Sequence, residues 1–271
     1  MQSITRLIVS IMCLTLPLGA QAAFQLGDLY LFNNSSLVGY WKLEGLTDET
    51  SGARTLTNNN SVTFTAGRFY NAATFPDPNT NKDLTNATSP VSYAAHASPF
   101  TTHMWFLTSS STPQQEIFDE FAYDGTHFRE VEMLVPSASH KVLFTMCCAD
   151  AGGTSKNAQS DVTLTLNTWY MLDGIYDGTN LKLYINGALA ASVVAPWGNF
   201  TGASRTGMAI GSQHLFGGSG SSFVDGQIDD VAVYTVALTE PQMNDLYQGY
   251  MLQLSNGSTK IQNGNINIQS R

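Results

Sequence analysis

Apolar and polar residues alternate over short runs along most of this chain, and Asn-Gly, Asp-Gly and Gly-Ser pairs punctuate the runs. In LKLYI, Leu181, Leu183 and Ile185 alternate with Lys182 and Tyr184, the period of a strand with one buried face. Asn186-Gly187 follows at once and supplies the positive φ of a two-residue turn, so 180–186 and 188–195 form a predicted hairpin. The same pattern predicts strands over 37–43, 55–64, 70–75, 82–94, 102–108, 115–119, 127–134, 140–147, 160–166, 168–176, 206–212 and 223–236. One helix is predicted: Thr239 caps it, Gln242 completes a capping box, and Met243, Leu246 and Tyr247 carry it to a stop at Gly249. Beyond about residue 252 the chain is polar and without period, which predicts a mobile tail. Many evenly spaced strands and one short helix predict an all-β, two-sheet antiparallel β-sandwich of jelly-roll type. Trp105 and Trp169 fall within predicted strands and are expected in the core.

The N-terminus changes the compartment. A lone cation, Arg6, precedes the apolar run LIVSIMCLTLPLGA, and Ala20-Gln21-Ala22 has the small-x-small pattern of a secretory cleavage site. Residues 1–22 are therefore expected to be a signal peptide, 23–36 a lead-in, 37–250 the folded domain and 251–271 the polar tail. Cys13 is preceded by Ser10-Ile11-Met12, without the small residue that a lipidated cysteine requires. No later run approaches the ~20 apolar residues of a spanning helix. The mature protein is expected to be secreted or held at the cell surface, with no membrane span.

Lys and Arg number 12 against 21 Asp and Glu, a net charge of −9, and such acidity repels phosphate backbones and excludes nucleic acid as partner. Only 12% of residues are charged, which suits an exported β domain rich in turns. Cys147 and Cys148 adjoin and cannot staple distant parts of the fold; they are expected to be reduced thiols at a strand end, with a strained vicinal disulfide as the alternative.

One stretch breaks the pattern. GQIDDVAVY, Gly226 to Tyr234, has the composition of a buried strand but carries Asp229 and Asp230 at its centre. Buried carboxylates need donors, cations or a metal. Strict alternation turns the two aspartates to opposite faces of a sheet.

Five segments resemble, in order, the laminin-G-like jelly roll of the concanavalin A-like lectin and glucanase superfamily. They are LVGYWKLEG (37–45) with DETSG (48–52), SVTFTAGRFYNAATF (61–75), NTWYMLDGIYDGTNLKLYINGALAAS (167–192), MAIGS (208–212) and FVDGQIDDVAVYTVALTEPQMNDLY (223–247). Residues 76–160 match poorly. The resemblance implies a structural Ca²⁺ between the first and last strands, with Glu44 and Asp230 as ligands and Asp48 as a further candidate. Ca²⁺ takes six to eight oxygens, to which carboxylates contribute most. The alternative is a bulge at Asp229 and Asp230 with a backbone or lysine partner.

The superfamily also contains glucan hydrolases whose catalytic strand alternates carboxylates on one face. Glu116-Ile117-Phe118-Asp119-Glu120 is close to that pattern. A regular strand here puts Glu116, Phe118 and Glu120 on one face and turns Asp119 away, so no catalysis is expected. His96, His103, His127, His140 and His214 show no zinc-ligand spacing, and the glycines of FGGSGSS (216–222) do not open a helix as a phosphate loop does. Binding remains. Loop aromatics and polar groups suited to sugar rings are Trp197, Asn199 and Phe200, then Tyr123, Asp124 and His127, then His214 and Phe216. The sequence thus predicts a non-catalytic module for a glycan or a surface protein; a structural domain without a sugar site is the second reading and a glucanase the third.

Overall fold

The computed structural model describes residues 35–52, 54–76, 81–87, 98–123, 126, 128–137, 139–147, 154–198, 205–213, 221–254, 259–262 and 265–268. The strands are β1 (Leu37–Trp41), β2 (Thr57–Asn59), β3 (Thr63–Ala66), β4 (Asn71–Phe75), β5 (Asp83–Asn86), β6 (Phe100–Thr108), β7 (Gln115–Tyr123), β8 (Phe128–Val135) and β9 (Lys141–Cys147). They continue as β10 (Lys156–Thr163), β11 (Tyr170–Tyr176), β12 (Asn180–Ile185), β13 (Ala188–Val194), β14 (Arg205–Ile210), β15 (Gly226–Tyr234), β16 (Thr259–Gln262) and β17 (Asn265–Ile268). Among the described residues one helix, α1, spans Glu240–Leu254.

β1 to β15 build two antiparallel sheets, and β16 and β17 pair separately. The eight-stranded sheet runs β13-β12-β11-β6-β15-β4-β3, with β1 paired to the second half of β15. The seven-stranded sheet runs β10-β9-β8-β7-β14-β5-β2. Between them lies a core that includes Trp41, Phe75, Phe100, Phe106, Phe118 and Phe144. The expected all-β sandwich is the observed fold, and residues Ser35–Gln248 form one compact unit.

Local chemistry accounts for the boundaries. Asn186 (φ 52°) and Gly187 (φ 79°) make the left-handed turn expected between β12 and β13. The single strand expected over 55–64 is split into β2 and β3 because Asn60 (φ 58°) and Ser61 (φ 64°) turn the chain between them. At the start of α1, the Thr239 amide donates to Gln242 Oε1 (2.8 Å), the expected capping box, and the helix runs past Gly249 to Leu254. The tail expected to lack structure contains β16 and β17, paired antiparallel on either side of Asn263-Gly264, a dipeptide that favours hairpins. Among the described residues no helix is long and apolar enough to cross a membrane.

Trp105 is buried, but on the outer side of the eight-stranded sheet rather than in the core: Tyr247 of α1 stacks on it (6.2 Å, 24°) and the Arg68 guanidinium lies 4.5 Å from the ring. Trp169 is half-buried and precedes β11. Cys147 is disulfide-bonded, which replaces the expectation of free thiols; its partner lies outside the described residues.

Candidate binding face

A bulge in β7 decides which side chains reach the outer face of the seven-stranded sheet. Glu116 lies opposite Leu134 and Phe118 opposite Met133, so Ile117 is an extra residue with no partner in β8. Ile117 and Phe118 both enter the core. After the bulge, Asp119 (opposite Glu132) and Phe121 (opposite Glu130) face outward, on the same side as Glu116. Glu120 lies opposite the core residue Val131. The strict alternation expected for this strand, with Glu116 and Glu120 together and Asp119 apart, is therefore reversed.

Register then gathers acids. Ligand oxygens of Asp119, Glu130 and Glu132 lie within 4.8 Å of one another, and Glu116 is their neighbour on the same face. All four are buried, and Glu130 and Glu132 keep an exposure of 5% and 7%. Burial, and then the charges of Glu132, Asp119 and Glu130, push the Glu116 carboxyl well above the usual carboxylate range. Burial and the neighbouring Glu132 raise Glu130 to about 8. Glu132 is raised by burial to about 7, against the pull of a hydrogen bond from Gln213 Nε2 to its Oε1 (3.0 Å). Both carboxyl oxygens of Glu116 lack a hydrogen-bond partner among the described residues.

The acids sit in a longer polar row. Successive pairings align Asn157, Thr145, Glu132 and Asp119, then Ala209, then Thr85 and Thr57, one residue from every strand of the sheet. Six inter-strand spacings of ~4.8 Å make the row about 29 Å long. Tyr123 ends β7 on the same face, half-buried. This alignment was invisible in the sequence, because it depends on six strand registers at once.

The paired aspartates of β15 are also explained by a bulge. Its register shifts between Asp229 and Ala232, with Asp230 in the left-handed region (φ 50°). Asp229 lies opposite Trp105 and its Oδ2 accepts the backbone amides of Arg68 and Phe69 (both 3.0 Å). Asp230 Oδ1 accepts the Tyr40 hydroxyl (2.7 Å). Burial and the adjacent Asp230 raise the Asp229 carboxyl far above its ordinary value. The two carboxylates are thus neighbours, not residents of opposite faces as alternation implied.

The candidate calcium ligands differ in their availability. Asp48 is a loop anchor: it accepts the amides of Tyr40 (3.1 Å), Thr50 (2.9 Å) and Arg54 (3.3 Å), with the Arg54 guanidinium at 3.5 Å. Glu44 accepts the Asn71 amide (3.1 Å) and is close enough to Asp229 to raise its carboxyl further. Asp229 Oδ1 is buried without a hydrogen-bond partner among the described residues. Glu44, Asp229 and Asp230 therefore fit a cation better than Asp48 does, since the oxygens of Asp48 are taken by donors.

Of the candidate ligand contacts, Tyr123 is on the polar face. Trp197 is 5% exposed and belongs to the core, with the Arg129 guanidinium 4.8 Å from its ring. Asn199, His127 and His214, like Asp124, Phe200 and Phe216, lie outside the described residues.

The Laminin_G_3 family model, of the concanavalin A-like lectin/glucanases superfamily, matches residues 70–244, more than half of the chain. The chain belongs to this superfamily. A search of curated proteins found no match to the sequence. Among solved structures, the superfamily member is similar to domain 4 of AbnA, a GH43 extracellular arabinanase from Geobacillus stearothermophilus, in complex with arabinotriose. Identity is 19% and the TM-score 0.61, covering 79% of this chain and 98% of that one. It is also similar to the binding domain of Paraclostridial Mosquitocidal Protein 1 (15%, TM-score 0.62, 83% of this chain and 53% of that one). A third similar structure is the binding domain of botulinum neurotoxin DC in complex with SialylT (14%, TM-score 0.58, 80% and 52%). The chain thus spans about half the length of the toxin domains it matches. These likenesses confirm the jelly-roll fold.

Proposed function

We propose that this protein is an exported, non-catalytic carbohydrate-binding module, and that the outer face of the seven-stranded sheet holds the sugar chain. The observation that carries this reading is the polar row across all seven strands, with Tyr123 on the same face. Glu132 at its centre keeps a small exposed edge that accepts hydrogen bonds, which sugar hydroxyls donate, with Asp119 buried beside it, and an aromatic at the margin offers a ring for a sugar face. A row of about 29 Å suits an oligosaccharide better than a single sugar. Support comes from similar domains, one crystallised with arabinotriose and another with SialylT. The loop residues Asn199, His127 and His214 are the further contacts in this reading, and Trp197 belongs to the core.

Export follows from the signal-like N-terminus, and mass spectrometry of secreted protein beginning at Ala23 is the expected result. A structural Ca²⁺ held by Asp230 and Glu44 belongs to the same reading, tying β15 to the segment after β1, with Asp48 ordering the loop. A glycan array probed with the full chain, in Ca²⁺ and in EDTA, tests the function. Binding to an oligosaccharide class supports it. An empty array together with capture of a surface protein favours the structural reading instead. Release of reducing ends from a β-glucan, lost on Glu116→Gln, overturns the non-catalytic reading.

A further inference from the structure

The structure assigns a divalent-cation site, distinct from the pair Glu44 and Asp230, to Asp119, Glu130 and Glu132 on the outer face of the seven-stranded sheet, with Ca²⁺ as the ion it takes. This goes beyond the glycan-binding reading and stands without it.

Elsewhere in the fold, four buried aspartates each have at least one protein donor or ion-pair partner. Asp48 has three backbone amides and Arg54, and Asp83 has the Asn59 amide nitrogen (2.7 Å) and the Ser212 hydroxyl (2.7 Å). Asp173 has His103 Nδ1 at 2.6 Å, and Asp229 has the Arg68 and Phe69 amides. The glutamates of the outer face depart from this pattern. Glu116 is fully buried, beside the three, and neither of its oxygens has a partner among the described residues. Glu130 makes no side-chain hydrogen bond or ion pair among them, and Glu132 has only the neutral amide of Gln213. Each of those four aspartates keeps at least one protein partner, whereas Glu116 and Glu130 have none among the described residues, which leaves them to something the described residues do not supply.

Geometry selects the ion. Ca²⁺–oxygen distances of 2.3–2.6 Å place ligands on opposite sides of an ion about 5 Å apart, and the three carboxylates present oxygens within 4.8 Å of one another. Three carboxylates, some bidentate, supply three to six of the six to eight oxygens required, and water or a ligand hydroxyl completes the shell. Hard oxygen donors without sulfur or imidazole favour Ca²⁺ over Zn²⁺ or Cu²⁺. The small exposure of Glu130 and Glu132 gives the ion its entry. Gln213 Nε2 holds one oxygen of Glu132 in place and leaves the other for the metal.

The test is calorimetric titration and thermal unfolding of the full chain with CaCl₂. A binding event is expected that disappears in the double variant Glu130→Gln/Glu132→Gln and survives in Asp230→Asn. At a hundredfold excess over Kd the melting temperature of the wild type rises by ~5–10 °C, and that part of the rise is lost in the double variant. In EDTA the double variant is at least as stable as the wild type, because removing like charges relieves their repulsion. Three results overturn the inference: no binding by the wild type, loss of the whole response in Asp230→Asn with none in the double variant, or a double variant less stable than wild type in EDTA. The last would mean that protein donors hold these carboxylates. Ca²⁺ binding with an empty glycan array leaves the ion and removes the sugar reading; sugar binding undiminished in EDTA, with no calcium heat, does the reverse.

Discussion

The ring of Phe144 in β9 rests against the bare backbone of Gly174 in β11, across the gap between the two sheets: a Cβ built on that glycine falls 2.4 Å from the ring. Both faces of the contact are core, since Leu172, Tyr176 and Phe144 are fully or almost fully buried. The glycine is therefore a spacing device, with the other sheet's aromatic filling the room a side chain would need. Gly174→Ala forces either the ring or a strand to move, an overpacking cost of about 1–3 kcal/mol. Thermal unfolding is expected to show a melting temperature lowered by ~2–4 °C for each of those kcal/mol. Phe144→Leu in the same chain should recover part of it.

Asp229 Oδ2 is held by two backbone amides, and that makes the two obvious substitutions unequal. Asp229→Asn keeps an acceptor for the Arg68 and Phe69 amides and is expected to be mild. Asp229→Ala leaves the buried Phe69 N–H and the partly buried Arg68 N–H without their acceptor, at roughly 1–3 kcal/mol for the first and less for the second. The loop they belong to also carries Arg68 over Trp105. Denaturant unfolding should thus give a loss of ~2–5 kcal/mol for alanine, with a changed tryptophan emission.

The turn before β12 gives a pH signature. Burial alone would raise Asp177, but hydrogen bonds from Lys182, Asn180 and Thr179 lower its carboxyl from 3.8 to about 2. A depressed pKa means that the folded state prefers the anion, so the contribution is complete above about pH 4 and is lost as the pH falls through 2. Melting temperatures of the wild type and Asp177→Asn are expected to differ above pH 4 and to converge below 2. Added salt should shrink the difference, because the pair is partly exposed.

What was legible in the sequence, and what was not, separates along one physical line. Strand positions followed from alternation and from turn dipeptides such as Asn186-Gly187, whose φ values depend on the residues themselves. Which way Asp119 and Asp230 face did not follow, because in each case one extra residue in a strand reverses the alternation beyond it. A bulge is specified by the partner strand as much as by the bulged one. Ile117-Phe118 looks like an ordinary apolar–apolar step until Met133 and Leu134 are set opposite. For the same reason the convergence of Asp119 with Glu130 and Glu132, eleven and thirteen positions away in sequence, is a property of register. Glu44 and Asp230, the calcium pair implied by the resemblance, rest on the order of the segments alone, whereas the face that Asp229 takes depends on the bulge beside it.

Tyr123 ends the strand that carries Asp119 and Phe121, two residues apart on one face, and it is the aromatic most accessible to a ligand in that line. If the row binds a sugar chain, the phenol ring contributes apolar contact and the acids contribute acceptors, so the two kinds of substitution should fail differently. Tyr123→Ala removes ring contact worth about 0.5–1.5 kcal/mol, a loss of affinity of up to about tenfold. Tyr123→Phe should keep that part, since the face of the ring is unchanged. Asp119→Asn and Glu132→Gln keep shape but alter the acceptors, and binding of a chain hydrogen-bonded through its hydroxyls should weaken at each, by ~1–3 kcal/mol for a charged partner. Affinity measured by titration with the oligosaccharide selected on the array decides the matter. Equal binding by Tyr123→Ala, Asp119→Asn and wild type would move the sugar site off this face, even with the module's function retained.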